Sequence, residues 1–213
     1  MKHLVIGITG HRPNRLHVGI PHVSTALTEV FQAIRTGAAE AGTAAEAIHV
    51  LSAIAEGTDR LAADVGLALG MRLDVLIPFA SADYETTFGD PAAIEPYRAL
   101  LTQAASVTEQ PGTLAEDTAG YEACGRAIME ASDLIVTVWD GKPAAGRGGT
   151  PEILDYALAR GLGIVWIDAA AARPPLLLRK KFGREPTASS AVATLAELAP
   201  HAPTLTAIEI ARF

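Results

Sequence analysis

Three observations on this chain predict an α/β fold built on a mostly parallel central sheet. Short, continuous apolar runs alternate with longer amphipathic stretches. The short runs are rich in β-branched residues and lack a two-residue alternation, as strands covered on both faces do. Three of them end in a turn carrying glycine and a hydroxyl residue that leads directly into a helix pattern. Strand, helix and strand repeated in this way give a parallel sheet with helices on both faces.

The first strand is HLVIGIT (3–9), followed by the turn TGHRP (9–13) and a helix pattern over roughly 21–41. IHVLSAI (48–54) is the second strand and runs into AEGTD (55–59). The next helix spans 59–70. Asp59 is a capping residue type ahead of Arg60, and Gly70 is placed to end the helix. LDVLIPF (73–79) is the third strand, with SADYETTF (81–88) after it. There Tyr84 or Phe88 could stack on a base, although packing beneath a helix is the simpler role. A helix over 91–104 precedes a weaker strand, ASVTEQ (105–110). A helix over 117–131 then leads into DLIVTVW (133–139) and the loop WDGKPAAGRGGT (139–150). Thr150 before Pro151 reads as an N-cap with proline at the first position of a helix over 151–161, which Gly161 closes. GIVWID (163–168) completes a Rossmann-like three-layer sandwich occupying residues 1–172. The remainder, 173–213, begins RPPLLLRKKFGREPTASS and reads as an extended segment, then a short helix over 190–199. Its last residues, TLTAIEIARF, could add an edge strand or pair with another subunit. The extension is expected to pack on the domain or on a partner subunit. No internal repeat is present.

Composition limits the function classes. A chain of 213 residues is long enough for one α/β domain with a sizeable core. A net charge of −7 argues against a generic nucleic-acid-binding surface, which needs a basic footprint. One cysteine cannot form an internal disulfide, so a reducing cytosol is expected. Met1 runs straight into an apolar strand with no signal-peptide pattern, and no apolar run approaches the ~20 residues of a membrane helix. A cytoplasmic protein without a membrane partner is therefore expected. His11, His17 and His22 lack the spacing of a zinc motif, so neither a metal nor a cofactor is expected. Cys124 falls mid-helix at a core position.

Ligands of open parallel sheets bind beyond the carboxyl ends of the strands. The three turns 9–13, 55–59 and 139–150 lie at such ends. Glycines let main-chain amides face a ligand, and a following helix adds partial positive charge. The set suits a phosphate better than any one turn does. No G-x-x-x-x-G-K-[ST] loop is present, and GITGHR has G-x-x-G rather than G-x-G-x-x-G, so a dinucleotide dehydrogenase is a poor reading. Arg12 offers a guanidinium suited to bidentate phosphate binding. His11 is more simply a turn residue, and Asp59 is as good a helix cap as a ribose ligand. Asp140 could accept hydrogen bonds from a ribose or from loop amides. Lys142 and Arg147 could close over a phosphate or stay solvated. Glu152 could touch the ligand or simply favour the positive end of its helix.

The motifs GITGHR, AEGTDRLAA and YEACGRAIMEASDLIVTVWDG…GRGGTPEILDYALARGLGIVWID resemble the SLOG superfamily over about residues 3–168. That superfamily joins the DNA-processing DprA proteins, the Lonely Guy (LOG) cytokinin-activating enzymes and many nucleotide sensors. Residues 121–168 are also similar to nucleoside 2-deoxyribosyltransferases. The resemblance implies a nucleotide at this sheet edge. It implies that Gly148, Gly149 and Thr150 hold phosphate, that Thr9, Gly10, His11 and Arg12 form the glycine–basic turn, and that Gly57, Thr58 and Asp59 form the family's GxD turn. The family's hydrolases and transferases place their glutamate three residues after the threonine, and that position here is Ile153. Glu152 lies one residue earlier, a rotation of about 100° on a helix. Arg126 is the candidate for the LOG arginine. Two functions follow: a nucleotide-binding sensor or carrier, or a nucleoside 5′-monophosphate phosphoribohydrolase or N-glycosidic transferase using Glu152 or Asp140. The ligand is a nucleotide or a nucleotide-derived small molecule rather than nucleic acid. A homodimer is expected because related folds are commonly dimers.

Overall fold

The computed structural model describes residues 3–143 and 149–178. Seven strands form one sheet in the order β4-β3-β2-β1-β5-β6-β7. They are β1 (Leu4–Gly10), β2 (Ile48–Ser52), β3 (Arg72–Ile77), β4 (Ser106–Glu109), β5 (Leu134–Trp139), β6 (Gly163–Asp168) and β7 (Leu176–Leu178). The first six are parallel, and β7 pairs antiparallel with β6. The helices are α1 (Ile20–Glu40), α2 (Thr58–Ala68), α3 (Ser81–Glu85), α4 (Ile94–Gln103), α5 (Asp117–Glu130) and α6 (Thr150–Ala159). The α/β class and the mostly parallel sheet are those predicted from the apolar runs.

Alternate residues of the central strands feed two separate cores. Leu134, Val136 and Val138 of β5 and Val165 and Ile167 of β6 join the core that contains Val23, Leu27 and Phe31 of α1. Ile135 and Trp139 of β5 and Ile164 and Trp166 of β6 join the core made with α5 and α6. Every residue of β5 and β6 is buried, which explains why all but Thr137 and Asp168 are apolar or glycine. β4 is the reverse: each of its four residues is exposed, as fits the weak sequence signal of an edge strand.

The ends of the elements shift in informative ways. Gly70 and Gly161 follow the last helical residues with φ of +78° and +75°, the left-handed conformation expected of them. Asp59 is not the cap of α2. Gly57 caps it, and Asp59 is the second helical residue. Likewise Gly149 caps α6 and Thr150 is its first residue. Leu176–Leu178 form β7 where the sequence reads as an extended segment. The helix expected over 190–199 and the strand expected in TLTAIEIARF lie outside the described residues. No described helix is long and apolar enough to cross a membrane.

This topology places the site. The chain winds outward from β1 to β4 and then returns to β5 on the other side of β1. The loops after β1 and β5 therefore diverge to opposite faces. A crevice opens at their carboxyl ends, where the strand order reverses.

Candidate functional site

His11 ties the three turns into one unit. Its N–H donates to Val138 O of β5 at 3.0 Å. Its carbonyl accepts from Thr58 N at 3.1 Å and from Thr58 Oγ1 at 3.0 Å. Its Nε2 lies 2.9 Å from Asp140 Oδ1. The Asp140 amide also points at Nε2, at 3.3 Å, but the shorter contact to the carboxylate places the proton on Nε2. Burial lowers the His11 pKa against the pull of Asp140, so the ring is neutral at pH 7 and holds the loops as a neutral link.

The glycines make this closeness possible. A Cβ on Gly10 would lie 2.6 Å from the Thr58 side chain, and one on Gly57 would lie 2.6 Å from His11 O. Gly57 also has φ +94°, a conformation that L side chains rarely adopt. Thr58 is fully buried, and its hydroxyl is spent on His11. Gly57 and Thr58 thus build the turn and are absent from the cavity wall.

The cavity has a volume of about 370 Å³, at the small end of the ~300–1,000 Å³ typical of small-molecule sites. Thr9, Gly10, His11 and Arg12 border it from the first turn, Asp59 from the second, and Gly149 and Thr150 from the start of α6. Ile8, Ala53, Ala55, Pro78, Ile128 and Ile153 give it apolar wall. Arg147 and Gly148 lie outside the described residues. Five of the residues singled out in the first two turns, together with Gly149 and Thr150, therefore meet in one place.

The cations stand at the mouth. The Arg12 side chain is 43% exposed, 3.7 Å from Glu56. Arg15, in the short turn Pro13–Arg15, donates from Nη2 to both oxygens of Asp140 at 3.1 and 2.8 Å. Sequence reasoning missed Arg15, although HRPNR displays it three residues after Arg12 across a proline turn. Asp140 has a side chain only 1% exposed. Burial pushes its carboxyl up, but His11, Arg15 and the Lys142 amide outweigh this and hold it down at about 2. It is an anchor for the mouth rather than part of the cavity wall. Lys142 contributes its amide to Asp140 and its carbonyl to Trp139 Nε1.

Asp59 is the acidic residue on the wall among those described. It is 8% exposed, and Ala55 N–H approaches its Oδ2 at a long 3.4 Å. Burial pushes its carboxyl up to about 7, against the opposing influence of Ala55, Arg12, Ser52 and Arg60. The loop before it is strained: Ile54 is a buried β-branched residue at φ +46°. Its amide donates to Ser52 Oγ at 3.0 Å and its carbonyl accepts from Arg60 Nε at 3.0 Å.

The other candidates fall elsewhere. Glu152 is exposed on α6 and does not border the cavity. Ile153, one residue on, does border it and packs against Gly125 of α5, whose missing Cβ would sit 2.6 Å from Ile153 Cδ1. Arg126 is on the outer side of α5, paired with Glu122 at 2.7 Å and lying over the Tyr156 ring. Phe88 covers the Arg60 guanidinium, 4.5 Å from its ring centre. Tyr84 packs edge-on to Phe79, Phe88 and Tyr97, yet it also reaches the cavity wall. Cys124 borders the cavity, but it donates to Leu76 O and burial pushes its thiol up, so it is an unreactive thiol. Among the described residues no group of three or more His, Cys, Asp or Glu could hold a metal.

No family model matches the chain, and no curated protein matches it. Among solved structures it is similar to the X-ray structure of DNA processing protein A (DprA) from Streptococcus pneumoniae. The TM-score is 0.55 at 12% sequence identity, over 98% of this chain and 60% of that one. This chain thus matches only part of the length of that protein. The identity is low, and the likeness is one of backbone: the chain shares a Rossmann-like fold with part of that DprA structure.

Proposed function

We propose that this protein binds a nucleotide or a nucleotide derivative in the crevice between the β1, β2 and β5 turns, and holds it without cleaving it. The observation that carries this reading is the polarity of the cavity. Two arginines and the amide end of α6 stand at its mouth, and its wall is largely apolar. A phosphate suits the first environment, by bidentate guanidinium contact and helix N-terminal charge. A base suits the second.

The wall at Ile153 supports binding without turnover. The SLOG hydrolases that the sequence resembles carry a glutamate at that step after the threonine, and here the side chain is a packed isoleucine. The net charge of −7 favours a small ligand over a nucleic acid.

The test incubates stoichiometric protein with a mixed nucleotide panel, followed by ultrafiltration and mass spectrometry. An intact nucleotide retained with the protein is the expected result. Free base with ribose phosphate in the filtrate, absent from a no-protein control, would overturn the binding reading in favour of an N-glycosidic hydrolase or transferase.

A further inference from the structure

Two polar side chains on the cavity wall are buried, face apolar surroundings and have unused hydrogen-bonding capacity. Asp59 is more than nine-tenths buried; Ala55 N–H reaches its Oδ2 at a long 3.4 Å and the Ser52 hydroxyl also engages the carboxyl, which leaves part of its accepting capacity unused. Tyr84 is 1% exposed, and among the described residues its hydroxyl has no hydrogen-bond partner. The Tyr84 oxygen is not sealed in the core: the orphaned buried polar atoms among the described residues belong to His49, Arg60 and Thr137. Asp59 and Tyr84 are close enough to influence each other's ionisation, and burial keeps the Tyr84 phenol protonated. In its ionised form Asp59 therefore offers carboxylate acceptors beside one phenolic donor.

These groups sit at the opposite end of the burial scale from the cations. Arg12 and Arg15 are 43% and 30% exposed, so a phosphate is held at the mouth. The base end of the ligand then has the apolar part of the same lining, with Ala53, Ala55, Pro78, Tyr121 and Ile128, and Asp59 and Tyr84 belong to that lining.

Resting on the nucleotide-binding reading, we propose that Asp59 and Tyr84 select a guanine base, Asp59 accepting from its N1–H and 2-amino groups and Tyr84 donating to O6. The pattern of a carboxylate beside a hydroxyl donor complements guanine's two donors and one acceptor. Adenine turns its N1 lone pair toward the carboxylate and loses both donors. Hypoxanthine keeps N1–H and O6 and lacks only the amino group. A site built to hydrogen-bond a group rejects the analogue without it strongly, because its own buried partner is left unpaired.

The experiment is calorimetric titration of the full chain with GMP, IMP, AMP and XMP, for the native protein and for Asp59→Asn. The native protein should bind GMP about 10-fold or more tighter than IMP and about 100-fold or more tighter than AMP. Asp59→Asn should lose GMP and gain XMP, since an amide nitrogen can donate to the carbonyl that replaces guanine's amino group. Equal affinity of the native protein for GMP and AMP overturns base selection and leaves the nucleotide-binding reading standing. Equal weakening of GMP and AMP in Asp59→Asn also overturns it, because Asp59 then holds a part common to both, such as the ribose. Failure of all four nucleotides to bind the native protein overturns guanine selection, and the mixed panel then decides the nucleotide-binding reading separately. The native selectivity alone decides the proposal if the variant does not fold.

Discussion

Arg15 and Asp140, 125 positions apart in the chain, are joined by two hydrogen bonds from one guanidinium nitrogen, at 2.8 and 3.1 Å. Asp140 also holds His11 Nε2 at 2.9 Å, so one buried carboxylate fixes both the first turn and a cation at the cavity mouth. Removing it strands two donors. Asp140→Ala should destabilise the protein by about 3 kcal/mol, as breaking a buried ion pair does. The pH dependence has a definite sign. The folded carboxyl is held at about 2, below its ordinary 3.8, so its contribution is complete above about pH 4 and is lost as the pH falls through about 2. Urea unfolding of both proteins from pH 7 to pH 2 checks this: the two curves should converge at the acid end.

Arg12 has a different role, and its variant should separate binding from stability. Its 3.7 Å pair with Glu56 is on the surface, where such pairs contribute at most ~1 kcal/mol. Arg12→Ala should leave the melting temperature nearly unchanged. It should weaken nucleotide binding about tenfold or more, the loss of one charge-assisted contact. Unaltered affinity by calorimetry would place the phosphate elsewhere.

Asp59 should show the mark of a group retained for function at the expense of stability. Its folded pKa of about 7 exceeds the ordinary 3.8, so the folded state holds a proton that the unfolded state has lost between those values. Stability falls as the pH rises from about 4 to about 7 and is flat above. Asp59→Asn abolishes that loss. In the empty protein it should therefore stabilise at pH 8, by up to about 4 kcal/mol, and do little at pH 4. Thermal melts of both proteins at the two pH values test the claim. A variant destabilised equally at both values would show that Asp59 serves packing.

The fold was legible because central parallel strands are buried on both faces, and β5 and β6 accordingly read as largely apolar runs. The turns after β1, β2 and β5 were legible for the same local reason, glycine and hydroxyl residues between a strand and a helix. What each turn residue does was not. Thr58 is a plausible phosphate ligand in sequence, yet its hydroxyl is committed to His11, 47 positions away. Asp59 reads as a cap, and the two-residue shift of the cap to Gly57 turns it into a cavity group. Asp140 reads as a ligand or catalytic carboxylate until Arg15 and His11 are seen to occupy it. Such pairings are made by sheet order, which local sequence does not carry.

Gly57 tests the turn itself. Its φ of +94° disfavours any side chain, and a Cβ there would lie 2.6 Å from His11 O and 3.0 Å from Arg12 backbone atoms. Backbone atoms cannot swing aside as a side chain would. Gly57→Ala should cost at least about 2 kcal/mol by chemical denaturation, from strain and displacement of the first turn together. Gly42 makes a control for conformation alone. It shares a positive φ of +82° with nothing within 4 Å, so Gly42→Ala should cost only about 1 kcal/mol.

Glu152 decides between the two functions that the sequence left open. It is exposed in the first turn of α6, while the neighbouring Ile153 faces the cavity. A carboxylate that stabilises charge on a ribose must lie at the reacting carbon. If the protein only binds its ligand, Glu152→Ala should leave nucleotide affinity within about twofold. A modest loss of helix stability, ~0.5 kcal/mol, follows from removing an acidic group at the N-terminal end of the helix. If release of free base is detected from the native protein and disappears in this variant while binding persists, Glu152 reaches the ligand through movement of its loop. The binding-only reading then fails. Release that persists in the variant would point instead to Asp59, the acidic group already on the cavity wall.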